Sequence, residues 1–399
     1  MSRDVWDKIP EYQWANDARR SGLYPYLRPF DETEGPEAVF EGRRVVMLGS
    51  NNYLGLTTHP KVIEGAIAAL KRFGTSLTGS RFVNGTTRLH IEFEERLADF
   101  LGREAAVVFS AGYHVNLAVG SALLRYGDVA LVDRNVHASI YEGVRLGVAS
   151  GARMLRFRHN APESLEKHLS RLREEERPMV FLDGVFSAEG SLANLPAFLP
   201  VVRAGGARWM VDDAHGFGVL GPGGRGTAHH FGLGDQVDLI GGTFSKALAS
   251  VGGFLVGDEE VLDYIMHRAS SFTFAASAAP ASVGAAMAAF QVMQDEAWRI
   301  DKLRENYRYM AEELRTLGFR IGPTESAVIP VHIGEDMTTL LVWRDLLEEF
   351  GIYTNPFVSP AVAPGEALIR SSYMATHERT HLDRALEGFA AVGRRHGVI

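Results

Sequence analysis

The residues best suited to chemistry lie in Gly241-Gly242-Thr243-Phe244-Ser245-Lys246-Ala247. A lysine set among small and hydroxyl residues, with an apolar Gly-rich run at 251–256 behind it, can form a Schiff base with an aldehyde. A buried ammonium without a partner is costly, so a lysine desolvated in this setting points to a chemical role. Thr243 and Ser245 can hydrogen-bond a phosphate beside it. The plainer reading of a Ser-Lys pair after a strand is a surface turn, so the weight falls on what lies upstream.

Three upstream segments supply complementary functions. Gly112 and Tyr113 follow the strand-like Val107-Val108-Phe109, where a strand-to-helix turn exposes backbone N–H groups and the helix dipole favours an anion. His137 follows a strand ending at Asp133; its imidazole could stack on a planar ring, or serve only as a hydrogen-bonded structural residue. Trp209-Met210-Val211 runs into Asp212, Asp213 and His215. A carboxylate facing a pyridine nitrogen keeps it protonated, so that the ring accepts electrons from a carbanion. The same three residues would also suit an Asp-rich turn or a metal site. Lys246 lies 34 residues after Asp212, beyond one further strand. Phosphate grip, ring stack, pyridinium partner and lysine together point to pyridoxal 5'-phosphate, with no metal. A nicotinamide enzyme would need Gly-x-Gly-x-x-Gly directly after a strand. Gly221-Pro222-Gly223-Gly224-Arg225-Gly226 contains a proline and follows an unconvincing strand, so it reads as a loop.

The elements that must position these residues alternate. Short apolar runs at 105–110, 129–133, 154–157, 179–183, 209–212, 239–241 and 254–256 are separated mostly by helical patterns. That predicts an α/β fold with a mainly parallel sheet, with ligands at the carboxyl ends of its strands. Residues 1 to about 30 begin with a helical pattern and break at Pro25 and Pro29. Pro60 opens a helix, and the aperiodic Gly/Ser/Thr-rich stretch 74–85, with Ser80 and Arg81, is a candidate binding loop. Near 290 the rhythm changes to a long amphipathic helix, a strand at 328–333 and two more helices. The predicted division is an N-terminal arm (1–48), a large cofactor-binding domain (49–290) and a smaller α+β domain (291–399).

Composition narrows the function. The chain has 399 residues, 46% hydrophobic and 23% charged, as in a soluble globular enzyme. A net charge of -8 without a basic block argues against nucleic acid as a partner. No cysteine is present, which removes disulfides, thiolate nucleophiles and Cys-ligated metals and fits a cytoplasmic location. The charged N-terminus lacks the apolar core of a signal peptide. The apolar run 275–293, broken by Pro280 and Gly284, reads as a packed helix rather than a membrane span.

The ordered set Ser50-Asn51-Asn52-Tyr53-Leu54-Gly55, Gly79-Ser80-Arg81, His137-Ala138-Ser139-Ile140, Asp183-Gly184-Val185-Phe186-Ser187, Val211-Asp212-Asp213-Ala214-His215-Gly216 and Gly242-Thr243-Phe244-Ser245-Lys246 resembles the α-oxoamine synthases. These are fold-type I pyridoxal-phosphate enzymes that condense an amino acid with an acyl-CoA, lose carbon dioxide and release CoA. The resemblance covers nearly the whole chain. It implies an aspartate aminotransferase-like fold, with Lys246 holding the cofactor and shuttling protons. Asp212 would face the pyridine nitrogen and His137 would stack on the ring. His215 and Ser187 would contact the ring hydroxyl region, and Gly112, Tyr113, Thr243 and Ser245 the phosphate. Asn51 and Arg370 would take the substrate carboxylate, with Ser80 and Arg81 as further substrate contacts.

Softer signals (Gly22-Leu23-Tyr24-Pro25-Tyr26, Phe157-Arg158-His159-Asn160, Ser359-Pro360-Ala361-Val362) are similar to the branch that joins L-serine to a long-chain acyl-CoA. Branches using glycine or alanine with a shorter acyl thioester, and a non-catalytic partner subunit, are the alternatives. A homodimer with shared active sites is expected, with peripheral membrane contact left open. Two departures stand out. Ala275 occupies a place where the family commonly has Ser or Thr, so that Ser277 or Thr273 would have to substitute. Asn355-Pro356-Phe357-Val358 lacks an arginine found in some members.

Overall fold

The computed structural model describes residues 4–399. The apolar runs between 105 and 257 form one seven-stranded sheet. Its strands in chain order are β1 (Ala105–Phe109), β2 (Asp128–Asp133), β3 (Arg153–Phe157), β4 (Arg177–Asp183), β5 (Arg208–Asp212), β6 (Leu239–Thr243) and β7 (Gly253–Gly257). Their spatial order is β1-β7-β6-β5-β4-β2-β3. Pairing from β6 to β3 is parallel throughout. Only β7 runs antiparallel, wedged between β1 and β6. The central strands are buried along most of their length, as expected when helices cover both faces and the strand sequences carry no polar alternation.

Two crossover helices matter for the site. α1 (Gly112–Leu123) leads from β1 toward β2, and α2 (Ala138–Ala149) from β2 to β3. They cross in close contact through glycines. A Cβ at Gly143 would lie 2.2 Å from the Asn116 carbonyl oxygen, and one at Gly120 would lie 2.2 Å from the carbonyl carbon of Gly143. Both distances are far inside van der Waals contact with backbone, so this crossing needs glycine at both positions.

Two smaller sheets complete the chain. Val328–Gly334, Ala367–Ser372 and Asn355–Phe357 form an antiparallel three-stranded sheet with Ala367–Ser372 in its centre. Glu32–Glu34, Glu37–Phe40 and Arg43–Met47 form a meander whose last strand pairs in parallel with Ile352–Tyr353. The long helix expected after residue 296 is Trp298–Thr316, and the closing helix is Arg379–Arg395. At the N-terminus, residues 1–3 lie outside the described residues. The rest of the expected helical stretch is a 3-10 helix, Val5–Glu11, and a short helix, Trp14–Arg20, separated after Pro10. The Pro280–Asp295 helix is the packed, small-residue helix expected. It lies on Pro60–Phe73 so closely that a Cβ on Gly65 would be 2.6 Å from Ala288 Cβ. Among the described residues no helix is long and apolar enough to cross a membrane.

Candidate active site

The carboxyl ends of β4, β5 and β6 and the N-termini of α1 and α2 surround a cavity of about 270 Å³. Lys246 follows β6 and Asp212 ends β5. Because Asp212 pairs with Gly241 across the two strands, their separation in sequence closes into one site. Lys246 is desolvated there, and its amine is pushed down to about 8. Burial is the main cause, Asp212 and Asp183 oppose it, and Arg370 adds to it. An amine with that value is partly neutral near pH 7–8, the form that adds to a carbonyl.

Asp212 is held on both oxygens. Asn116 Nδ2 donates to Oδ2 (2.6 Å) and the Ala214 backbone N–H donates to Oδ1 (3.0 Å). The adjacent Asp213 turns away. It accepts from the Thr227 backbone N–H and hydroxyl, both at 2.6 Å, and burial pushes its carboxyl up to about 7. His215 turns to a third set of partners, its Nδ1 lying 2.6 Å from the Tyr53 hydroxyl. Burial, with the charges of Lys246 and Arg370, holds it well below the usual imidazole range, so it is neutral. The metal reading of Asp212, Asp213 and His215 therefore fails on geometry, since the three side chains are committed to separate partners instead of converging. Among the described residues no group of three or more His, Asp or Glu side chains is placed to hold an ion.

His137 caps the N-terminus of α2, and its ring opens onto the cavity. Its backbone N–H donates to Asp183 Oδ2 (3.0 Å). Its Nδ1 accepts from the Ser139 N–H and lies 2.6 Å from the Ser139 hydroxyl. Partial burial lowers its affinity for a proton, against the pull of Asp212. Asp183 lines the same cavity. Its Oδ1 is buried without a hydrogen-bond partner, and burial together with Asp212 pushes its carboxyl well up.

The anion end of the cavity is also built. Ala111, which caps α1, offers no side-chain bond, so the first N–H groups of the helix, at Gly112 and Tyr113, have no capping partner there. Thr243 and Ser245 stand opposite with hydroxyls 2.8 Å apart. A Cβ on Gly112 would lie 2.8 Å from Thr243, so glycine is what lets helix and hydroxyl approach. A lysine, a paired carboxylate, a ring-sized gap beside an imidazole and an uncapped helix N-terminus fit pyridoxal phosphate.

The structure brings Asn51 and Arg370 together as well. Arg370, buried in the strand Ala367–Ser372, donates through Nη2 to Asn51 Oδ1 (3.0 Å) and through Nε to the Ser187 carbonyl (2.7 Å). Ser187 lines the cavity with His215. Within the chain Ser80 and Arg81 do not line this cavity. Arg81 is engaged by Glu94 in a two-armed ion pair (2.6 and 3.0 Å) and donates to the Val108 carbonyl. The loop did not reveal this because Glu94 lies on the following helix. Asn116, Ser139, Tyr53 and Asp183 also belong to the site, although their types alone assigned them no role. Beyond His137 and Ser187 a wider cleft of about 960 Å³ opens between Arg134, Arg156, His332 and the turn around Pro360–Pro364.

Comparison with known proteins agrees with this geometry. The family model for aminotransferase class I and II matches residues 43–389. The chain is 43% identical to a serine palmitoyltransferase of Sphingobacterium spiritivorum, over 97% of this chain and 96% of that one. It is 40% identical to an 8-amino-7-oxononanoate synthase of Geobacter sulfurreducens, over 96% and 97%. Among solved structures, a serine palmitoyltransferase with pyridoxal phosphate as internal aldimine superposes with a TM-score of 0.95 at 35% identity, covering all of both chains. The enzyme of Sphingomonas wittichii gives 0.95 at 36%, covering 99% and 100%. With its fold, its cavity and these relatives in agreement, the chain belongs to the aminotransferase class I and II family, in the α-oxoamine synthase branch of fold-type I pyridoxal-phosphate enzymes.

Proposed function

We propose that the protein is a pyridoxal-phosphate-dependent acyltransferase that condenses L-serine with a long-chain acyl-CoA such as palmitoyl-CoA, giving 3-ketosphinganine, CoA and carbon dioxide. The observation that carries this reading is the buried Arg370. Among the described residues no carboxylate pairs with it; its fork is held by Asn51 and by the carbonyl of Ser187, which lines the lysine cavity, and its charge is felt by Lys246. A buried guanidinium without a counter-ion is costly, and a carboxylate ligand relieves that cost. The serine preference rests on the four curated serine palmitoyltransferases at 41–43% identity.

Pyridoxal phosphate, when bound, supplies an electron sink for the amino-acid α-carbon. Around it, Asp212 would keep the ring nitrogen protonated, and His137 would cover one ring face. His215 and Ser187 would orient the ring hydroxyl. Gly112, Tyr113, Thr243 and Ser245 would hold the phosphate. Lys246, with its amine near 8, has the right proton affinity to remove and return the α-proton close to neutral pH. The cleft beyond His137 would receive the acyl thioester, with Arg134 and Arg156 available to its phosphates.

We place the enzyme in the cytoplasm as a homodimer. The loop at 74–85 and the segment at Ser277 are joined by a Ser277 N–H to Gly79 carbonyl bond, and they present exposed Val83 and Phe274. Such apolar exposure suits a second copy. Of the two hydroxyls that could stand in for the small side chain at Ala275, Thr273 already donates to the Met266 carbonyl, whereas Ser277 Oγ is buried without a partner. Ser277 is the better candidate. The seven-stranded sheet lies wholly between residues 49 and 290, whereas the meander at 32–47 shares a sheet with Ile352–Tyr353 of the smaller domain. One experiment tests the activity: purified enzyme is given L-serine, glycine or L-alanine with palmitoyl-CoA or a short acyl-CoA, and the ketone product is identified by mass. Faster turnover with glycine or alanine than with serine overturns the substrate assignment.

A further inference from the structure

We infer that Asn116 and Ser139 are positioning residues that tie the carboxylate of Asp212 to the imidazole of His137 through one hydrogen-bond chain centred on the Asn116 amide, and that this chain fixes His137 as the Nε2-protonated neutral tautomer.

The argument starts at Asp212. An ionised carboxylate only accepts, so the atom of Asn116 that meets Oδ2 at 2.6 Å is its amide nitrogen. The second hydrogen of that nitrogen is directed to the Ser139 oxygen at 2.8 Å. With that lone pair occupied, Ser139 has its own hydrogen free, and its remaining close partner is His137 Nδ1 at 2.6 Å. The Ser139 backbone N–H also donates to the same nitrogen (3.3 Å). Two donors converge on Nδ1, so Nδ1 carries the lone pair and Nε2 the proton. The donors run outward from the Asn116 amide, one hydrogen to Asp212 and the other to Ser139, whose hydroxyl passes the direction on to His137.

Two further observations favour a positioning role over ordinary packing. Asn116 and Ser139 are almost fully buried, and among the described residues Asn116 Oδ1 has no partner. An amide kept in the core with half of its polar capacity unused is there for its nitrogen. The Gly120–Gly143 crossing brings α1 and α2 close enough for Asn116 on one helix to reach Ser139 on the other. The chain therefore links the two groups proposed to flank the cofactor ring, one toward its nitrogen and one on its face. That consequence rests on the function proposed above, but the tautomer does not.

The test uses the holoenzyme labelled with ¹⁵N-histidine, with the His137 signals identified by their loss in His137→Asn. Imidazole ¹⁵N shifts should show Nε2 protonated and Nδ1 bare in wild type and in Ser139→Thr, which keeps the hydroxyl. Ser139→Ala should give a mixture of tautomers. Asn116→Leu should weaken pyridoxal phosphate affinity by about tenfold, the scale of one lost hydrogen bond to a charged group. It should also shift the visible band of the bound cofactor, while Ser139→Thr leaves that band in place. If Asn116→Leu does not fold, as judged by thermal melting, Ser139→Ala alone decides the matter. An Nδ1-protonated His137 in wild type, or an unchanged tautomer in Ser139→Ala, overturns the inference. Failure of the serine condensation assay with the tautomer as stated would overturn only the proposed function.

Discussion

Asp183 and Asp212 end neighbouring parallel strands directly opposite each other in register, and both face the cavity that holds Lys246. Their surroundings differ. Asp212 is stabilised by donors on both oxygens, whereas Asp183 keeps one oxygen unpartnered and binds its proton well above the usual range. The two carboxyls therefore meet the cavity with different hydrogen-bond partners.

Asp212→Asn should fold and melt like wild type yet lose turnover by orders of magnitude, because an amide cannot hold a pyridinium charge. Asp213→Asn should show the opposite pattern. It loses one of the two bonds to Thr227 in a buried setting, a cost of about 1–3 kcal/mol, and should lower the melting temperature while activity per folded molecule falls much less. Steady-state rates and melts on both variants decide this; the reverse ranking removes Asp212 from the ring nitrogen.

Lys246 should leave a signature in stability against pH. Its folded value, about 8, lies below its usual 10.5, so between those two pH values the unfolded chain binds more protons than the folded one. Stability of the cofactor-free protein should therefore rise with pH across that window, and the cost of the buried ammonium should be fully present below pH 8. Against Lys246→Met, which has no such group, the wild type should gain about 2 kcal/mol between pH 7.5 and 9.5 in urea melts. A difference that does not change with pH would show that the amine is not desolvated.

Arg370→Ala should weaken amino-acid binding about tenfold to a hundredfold, from the loss of charge-assisted hydrogen bonds of about 1.5–3 kcal/mol. Arg370→Lys should recover only part, since an ammonium lacks the fork. Palmitoyl-CoA binding should hardly change. Titrating the cofactor absorbance with L-serine measures the effect, and unchanged serine affinity in Arg370→Ala would place the carboxylate elsewhere.

Tyr53→Phe removes the hydroxyl that lies 2.6 Å from His215 Nδ1 and 3.3 Å from Asn51 Oδ1. The buried imidazole then loses a partner, a cost of about 1–3 kcal/mol. Turnover should fall about tenfold, with the affinity for pyridoxal phosphate nearly intact. A variant as fast as wild type would show that His215 needs no such support.

Much of the fold was legible because parallel strands buried on both faces are short unbroken apolar runs, and those ending at Asp183, Asp212 and Thr243 are of that kind. Lys246, Asp212 and His137 were legible for the same reason, each standing just beyond such a run. Asn116 was not. A polar residue in the middle of a helix reads as a solvent-facing position, and its burial depends on how closely α2 crosses, which Gly120 and Gly143 decide together. The engagement of Arg81 by Glu94 was hidden as well, since a Gly-rich loop looks available until the helix carrying Glu94 folds against it. The run at 45–48 is strand-like in sequence, and what distance hid is its pairing, because Met47 finds its partner at Tyr353.

The close crossing of α1 and α2 also sets where this scaffold can vary. Two helix positions are closed to every side chain larger than hydrogen, and through Asn116 and Ser139 they keep one wall of the cavity at a fixed spacing. The opposite side is built differently, since there the turn around Pro360–Pro364 borders the wide cleft. One wall of the site is thus set by helix contact and the other by a turn, with His137 and Ser187 lining the space on both sides.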